Sequence, residues 1–384
     1  MVQRESIELE VDDMIKVVHI ITDLNSGGAE NMLLKFVKNS DRDKFYHEVI
    51  SLTDKGVLGN KFEDIGIKIH ALNLSKKSFF KSLIRAKNIC SNFDVVNTWL
   101  YHADIFGFII SKILLNKKLI WNIRHSNLNK EFNKPRTLRI VKINSLLSKY
   151  VDCITFNSTC SKVVHQKKGY KNQNYMVIPN GFELDRFFLD HNVRASLREK
   201  FSFIENERIL ITVGRWDIQK DYYTLLKALY MVKKANVDFK MLLIGAGLDE
   251  NNIELMSLIK KYELEDHMIL LGRRDNVPQF LSCADIYISS SLGESFSNAI
   301  GEAMACELFC LVTDVGDSKA IVGETGKVVE PQNATKLSEA IIDSLKYDNI
   351  SKYGEKARIR VQNDYNIKKV VVCIEDLFLK INNN

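Results

Sequence analysis

The sequence predicts an α/β protein built from two doubly wound parallel-sheet domains. Short runs rich in Val and Ile recur along the chain, and longer stretches of helical period separate them. The length of 384 residues is long for one core and suits two domains of roughly 150 to 200 residues each. Hydrophobic residues at 46% and charged residues at 27% are ordinary for a globular chain, which excludes fibrous and disordered classes.

In chain order, the first set of candidate strands is KVVHIIT, HEVISL, KIHALN, DVVNTW, KLIWNIR, CITFNS and MVIPNG. The second set is RILITVG, KMLLIG, MILLG, IYISS, FCLVTD and GKVVE. The polar stretch between them, Asn180 to Arg208, is where one domain should give way to the next. Ligands of open α/β sheets sit beyond the carboxyl ends of the strands, so two such domains facing each other would share one cleft, and the active site is expected there. No short-period repeat is evident, and the trailing INNN is the one low-complexity tract.

Several function classes lose support from composition. The seven cysteines are odd in number, include no C-x-x-C pair and sit mostly in apolar runs, which points to reduced, buried thiols. Cys306 and Cys310 lie four apart but have no nearby His or Cys to complete a metal set. The acidic, polar start MVQRESIELEVDD is wrong for a signal peptide. The most apolar long run, ADIFGFIISKILL, is interrupted by Lys112 and is shorter than the roughly 20 residues a bilayer needs, so no spanning segment is expected.

Charge is uneven. From Lys76 to Lys149 there are fifteen Lys and Arg against three acids (Asp94, Asp104, Glu131), a net of about +12 in a chain whose formal net charge is +6. A solvated face, nucleic acid or an anionic membrane surface could each account for it. Aromatic and apolar residues interleave with the cations in KKSFFKSLIRAK and KPRTLRIVKINSLLSKY, as in interfacial helices, which favours a membrane surface over nucleic acid.

Three stretches carry chemistry. SLGESFSNAIGEAMA, Ser291 to Ala305, follows a strand and runs into a helix beginning near Ser297 or Asn298. Such a turn offers backbone N–H groups and a helix N-terminus to a phosphate. Glu294 lies before that helix and Glu302 within it; two acids so placed suit hydroxyl groups on either side of the phosphates, those of a sugar and of a ribose. Helix capping or a solvated helical position is the bland alternative. In VGRWDIQKD, Arg215 and Lys220 follow the end of a strand, where two cations could neutralise a diphosphate leaving group; alone, such a pair is more often surface charge. In LNSGGAENML, Gly27 and Gly28 open a helix after the first strand and let the backbone approach a ligand closely. Neither this loop nor IGAGLDEN is a G-x-G-x-x-G fingerprint, so a nicotinamide cofactor is not indicated.

Together these stretches resemble the family 4 glycosyltransferases, the E-x7-E group with the GT-B fold. The blocks SGGAENMLLKFV, HEVISLTDKGVLG, TWLYHADIFG, NIRHSN, VIPNGFELDRF, VGRWDIQKD, GESFSNAIGEAMAC and VTDVGDSKAIVGETGKVV carry the likeness almost end to end. The RHSN and TDVGDS forms are similar to the branch of bacterial capsule, O-antigen and lipopolysaccharide sugar transferases. On that fold, residues 1–182 would bind the acceptor, 183–363 the nucleotide-sugar donor, and 364–384 would form a helix packing back toward the first domain.

The resemblance implies roles. Arg215 and Lys220 match the diphosphate-binding pair, Glu294 the glutamate at the donor sugar, and Glu302 the one that holds the ribose. Phe296, Ser297 and Asn298 would offer backbone amides, Gly27 and Gly28 match the glycine loop beneath the phosphates, and His102, ending a strand-and-loop block, matches the histidine beside the transferred sugar. His125 is a weaker candidate and is not assigned a catalytic role. Glu307 and Phe309 stand where the family usually has Gly and Pro, and Lys319 where a small residue is usual; these departures bear on stability and donor preference more than on reaction class.

A member of this family would transfer a sugar with retention through a front-face substitution, without the D-x-D metal site of the other main fold. The lone D-x-D, Asp41 to Asp43, reads as a surface turn, and no metal or cofactor is expected. Implied partners are a nucleotide sugar, with UDP favoured over GDP, a lipid-linked oligosaccharide acceptor and the anionic inner membrane surface, with no nucleic acid; the implied location is cytoplasmic and peripheral to the membrane. The competing readings are a nucleotide-sugar epimerase or hydrolase, a phosphorylase of the same fold, and a non-enzymatic sugar-binding protein, which would normally be exported.

Overall fold

The computed structural model describes residues 14–25, 27–204 and 207–383. The N-terminal MVQRESIELEVDD and Ser26 of the glycine loop lie outside the described residues. Two compact units result: one runs to Gly181 and regains the chain at Ile367, and the other spans Phe182–Asn366.

The first unit holds β1 (Ile15–Ile21), α1 (Gly28–Asn39), β2 (Phe45–Ser51), α2 (Gly59–Glu63), β3 (Lys68–Ala71), α3 (Phe79–Cys90), β4 (Val95–Trp99), α4 (Tyr101–Phe108), β5 (Lys118–Ile123), α5 (Pro135–Leu147), β6 (Cys153–Phe156), α6 (Thr159–Lys167) and β7 (Tyr175–Val177). The second holds α7 (His191–Lys200), β8 (Ile209–Val213), α8 (Tyr222–Lys234), β9 (Lys240–Ile244), α9 (Ile253–Lys261), β10 (Met268–Gly272), α10 (Val277–Cys283), β11 (Ile286–Ser289), α11 (Asn298–Ala305), β12 (Phe309–Thr313), α12 (Ser318–Val322), β13 (Lys327–Val329), α13 (Ala334–Leu345) and α14 (Ile350–Asp364); α15 (Ile367–Asn382) returns to the first unit.

Each predicted run overlaps a strand, seven in the first sheet and six in the second. The orders are β3-β2-β1-β4-β5-β6-β7 and β10-β9-β8-β11-β12-β13, and neighbouring strands pair in parallel. Parallel sheets are covered on both faces, which is why β4 and β12 read as near-continuous apolar runs and are buried at every position. In each sheet the strand order reverses once, between β1 and β4 in the first and between β8 and β11 in the second. The crevice beyond the carboxyl ends at that reversal is where such a sheet can receive a ligand.

The run ADIFGFIISKILL is spent on packing. It forms α4 and a wide helical turn over Ile109–Leu114, and Phe106, Phe108 and Ile110 are buried in the first unit's core. Among the described residues no helix is long and apolar enough to cross a membrane.

The last helix is amphipathic at a spacing of three and four: Ile367, Val370, Val371, Ile374, Leu377, Phe378 and Ile381 all face the core that includes β1 and α1. A directional chain of hydrogen bonds adds to that packing. The Trp99 indole N–H can only donate, and it points at Nδ1 of His19 at 3.4 Å, so the His19 proton sits on Nε2 and is directed to Nδ1 of His47 at 3.1 Å. His47 Nε2 then donates to Ser40 Oγ at 2.8 Å, and Ser40 donates to Glu375 of α15 at 2.7 Å. Burial holds both imidazoles neutral: it lowers His19 well below the ordinary range and, with Arg42 nearby, brings His47 to about 3.

Candidate active site

In the second unit the candidate residues follow the two strands that flank the reversal. After β8 come Gly214, Arg215 and, in a short turn, Lys220; after β11 comes the loop with Glu294 that runs into α11. The loops are stitched together: Leu292 N donates to Gln219 O at 2.7 Å, and Ser290 Oγ to Lys220 O at 2.8 Å. Lys220 Nζ consequently meets Glu294 Oε1 in an ion pair across 74 positions of sequence, and Ser291 Oγ donates to the same oxygen at 3.0 Å. Both side chains keep part of their surface in solvent, 27% for Lys220 and 14% for Glu294.

Arg215 is not drawn into that pair. It is exposed and bonds to its neighbour Asp217 at 2.9 Å. Glu302 lies in the second turn of α11, partly exposed. The Phe296 ring is buried, stacked on Phe182 and edge-on to Tyr365, so it anchors the loop and leaves its backbone as the part able to meet a ligand. Ser297 is the N-cap of α11 with no side-chain capping bond, and Asn298 is the first helical residue, as the sequence suggested.

Two glycines fix these loops, and sequence reasoning did not single them out. Gly316 has φ +56°, and a Cβ there would stand 2.1 Å from the carbonyl oxygen of Glu294. Gly245, in the loop set aside as a poor dinucleotide fingerprint, has φ +152° and would press a Cβ to 1.9 Å from the Gly214 oxygen. The signal was a glycine at or shortly after the end of a strand; its purpose is close packing of one loop on another.

In the first unit, Gly27 caps α1 after β1 with an extended backbone, and Gly28 opens the helix. The buried carboxyl of Glu30 folds back against Gly27, where an added Cβ would lie 2.2 Å from Oε2. Burial raises that carboxyl to about 7, with Asp23 adding to the effect. His102 follows β4, but it is the second residue of α4 and not part of a loop, because Leu100 turns the chain with φ +74° and the helix begins at once. It is half-buried, and its pKa is lowered by burial and by Arg136. His125 is partly buried, with its pKa also lowered by burial.

Arg124 is a further candidate that sequence reasoning passed over as the end of a strand. Its guanidinium lies 4.6 Å over the Trp99 ring and bonds to the side-chain oxygens of Asn122 and Asn180. Burial, with no carboxylate partner among the described residues, lowers it to about 9. The Asp41–Asp43 turn is on the surface, with Asp41 paired to Lys44 at 2.8 Å. Five of the seven cysteines are buried, Cys160 is intermediate and Cys373 is exposed.

A family model described as Glycosyltransferase Family 4 matches residues 26–186, and one described as Glycosyl transferases group 1 matches residues 207–347. The chain belongs to family 4 of the glycosyltransferases. Its enzymatic class is that of the hexosyltransferases. The N-acetylgalactosamine-N,N'-diacetylbacillosaminyl-diphospho-undecaprenol 4-alpha-N-acetylgalactosaminyltransferase of Campylobacter jejuni is 24% identical over 368 residues, covering 91% of this chain and 95% of that one. The N-acetyl-alpha-D-glucosaminyl L-malate synthase of Bacillus anthracis is 29% identical over 202 residues, half of this chain and 52% of that enzyme. Among solved structures, Anabaena HepE in complex with UDP superposes with a TM-score of 0.85 at 19% identity, over 95% of this glycosyltransferase and all of HepE. The fold is GT-B.

Proposed function

We propose that this glycosyltransferase moves a sugar from a nucleotide sugar, with UDP as the nucleotide, to a lipid-linked glycan in bacterial surface polysaccharide synthesis, with retention and without a metal. The Lys220–Glu294 pair at the reversal of the second sheet carries the reading: a cation and a carboxylate held together by two stitched loops beside a helix N-terminus suit a sugar diphosphate, one charge for the phosphates and one acceptor for the hydroxyls. Support for the donor and acceptor classes comes from HepE, solved with UDP, and from the Campylobacter relative, named for a diphospho-undecaprenol acceptor.

In this reading Lys220, Arg215 and the backbone of Phe296 to Asn298 meet the departing diphosphate, Glu302 takes the ribose, and Gly27 and Gly28 let the backbone close on the phosphates. The bond from the anomeric carbon to the phosphate oxygen breaks on the face where the acceptor oxygen bonds, and the leaving phosphate takes the acceptor hydroxyl's proton. Glu294 orients the sugar hydroxyls and is not a nucleophile. His102, neutral at pH 7 because its pKa is lowered, positions the sugar through hydrogen bonds without adding charge.

Incubation with UDP- and GDP-sugars, with and without a polyprenyl-diphosphate-linked glycan, tests this. Acceptor-dependent release of UDP supports it. Remodelling of the sugar without acceptor indicates an epimerase, free sugar a hydrolase, dependence on phosphate a phosphorylase, and no turnover a binding protein. EDTA should leave the rate unchanged; a steep loss would overturn the metal-free assignment.

The same reading places the enzyme at the inner membrane surface. Of the apolar residues on α3, Phe79 and Leu83 pack against the core, while Phe80 (78%) and Ile84 (60%) are exposed beside Lys76, Lys77, Lys81 and Arg85. Ile143 and Leu146 of α5 and the following Tyr150 are exposed as well. Co-sedimentation with anionic but not neutral vesicles, weakening with salt, is expected.

A further inference from the structure

A cavity of about 690 Å³ opens in the first unit between α3 and the strands β1, β2 and β3. Its lining residues Lys16 and Lys68 stand at the amino ends of their strands, whereas Gly27, His102 and Arg124 follow carboxyl ends. It is therefore a separate feature from the candidate active site.

The lining is amphipathic. Ile84, Ile89 and Phe93 supply an apolar wall, and Lys16, Lys68, Lys81 and Arg85 supply cations. The one carboxylate in the lining, Glu48, is buried and engaged from three sides: Tyr46 Oη donates at 2.7 Å, His70 Nε2 lies at 2.5 Å and Lys68 Nζ at 3.4 Å. Those contacts leave the wall with an excess of positive charge. Arg85 donates one Nη1 bond, to Ala71 O at 3.0 Å, and Lys81 makes no hydrogen bond or ion pair with the described residues.

The mouth of the cavity continues onto the exposed face of α3. Ile84 both lines the cavity and lies open to solvent, and Phe80 stands one turn before it on the same face. A ligand with a phosphate between Lys81 and Arg85 could thus extend its apolar part along Phe80 and Ile84 without leaving the protein surface.

We propose that this cavity holds the phosphate-bearing headgroup of a single anionic phospholipid, with the acyl chains leaving along Phe80 and Ile84 into the bilayer. The proposal rests on the membrane-surface reading above and adds a stoichiometric site to it. Chemical complementarity favours this occupant: a phosphodiester matches the cation pair, and an apolar wall beside that pair would be of no use to a free phosphate.

Calorimetric titration of the full chain with dihexanoyl-phosphatidylglycerol, kept below its micelle concentration, tests the site apart from the membrane. Binding at one lipid per chain is expected. Lys81→Gln with Arg85→Gln should weaken it about tenfold or more, whereas Lys76→Gln with Lys77→Gln, removing equal charge from the turn just before α3 and outside the cavity, should change it less than about twofold. All four substitutions are at exposed positions, and unchanged thermal unfolding would confirm folded variants. Binding to anionic vesicles without one-to-one lipid binding would overturn the pocket and leave the membrane reading standing. Lipid binding without vesicle binding would uphold the pocket and overturn the membrane reading. Equal losses in both variant pairs would reduce the site to diffuse surface charge, and equal competition by glycerol 3-phosphate would replace the lipid with a soluble phosphate ester.

Discussion

The two units follow one plan, a parallel sheet with a single reversal of strand order, and treat polar side chains in opposite ways. At the reversal of the second sheet, Lys220 and Glu294 are charged, paired across loops and partly solvated. In the first sheet, His19 and His47 lie within the strands, stripped of water and held neutral in a chain of hydrogen bonds to Glu375. A charge that must meet a ligand is affordable where water and a partner share its solvation; an imidazole that only joins a helix to a sheet keeps its proton count fixed by burial.

The sharpest break of that contrast is at Lys220. If the pair serves the ligand, Lys220→Ala lowers kcat by about 10²- to 10³-fold, on the order of 3–4 kcal/mol in the transition state, with little change in Tm. Glu294→Gln should act in the same direction. A large drop in Tm with near-normal turnover would make the pair structural and erase the difference between the units.

The buried imidazoles predict a pH dependence of stability. His47 goes from an ordinary value near 6.5 in the unfolded chain to about 3 when folded, and His19 shifts the same way. The unfolded state therefore binds more protons between those limits. Stability is fully present above about pH 6.5 and falls, by roughly 1.4 kcal/mol per pH unit per group at most, as pH drops toward 3. Denaturant midpoints between pH 7 and pH 4 check this, and a flat profile would place a charged imidazole in the folded state.

Glu30 should show the reverse sign. Its carboxyl rises from 4.5 to about 7 on folding, so its favourable contribution is complete below about pH 4.5 and is lost as pH rises through 7. Glu30→Gln is expected to stabilise the first unit by about 1–3 kcal/mol at pH 8 and to be near neutral at pH 4.5. Urea titrations of the two proteins at the two pH values decide it.

The smallest effect is expected at Glu307. It sits just after α11 with φ +63°, a left-handed conformation that suits glycine, and it recovers an ion pair with Arg358 at 3.8 Å. Glu307→Gly should stabilise the second unit by about 0.5–1 kcal/mol, read as a rise in Tm of a few degrees at most.

Much of this was legible in the amino-acid sequence because it depends on local pattern. Apolar runs such as DVVNTW and FCLVTD announced buried parallel strands, and Ser297 and Asn298 announced the start of α11. Local pattern also named Lys220, Glu294 and Gly27 as candidates, and the family resemblance added His102. It did not place His102 inside a helix, since nothing in the letters shows that Leu100 adopts a positive φ. Nor did it separate Phe79 and Leu83, which the core consumes, from Phe80 and Ile84, which it leaves exposed: helical period gives the angle between side chains, and the neighbouring element decides which angle faces inward.

The sequence by itself determined the strands, the order of the chemistry-bearing blocks and the family, because each is written in residues close together along the chain. Tertiary structure alone decided that Lys220 meets Glu294, that Gly316 must lack a Cβ beneath the Glu294 carbonyl, that Arg124 is a half-buried cation with two amides and an indole for company, and that His19 and His47 are neutral. The reason is physical: contact distance and loss of water are set by which distant segments the sheet order brings side by side, and a single chain of letters carries no direct record of either.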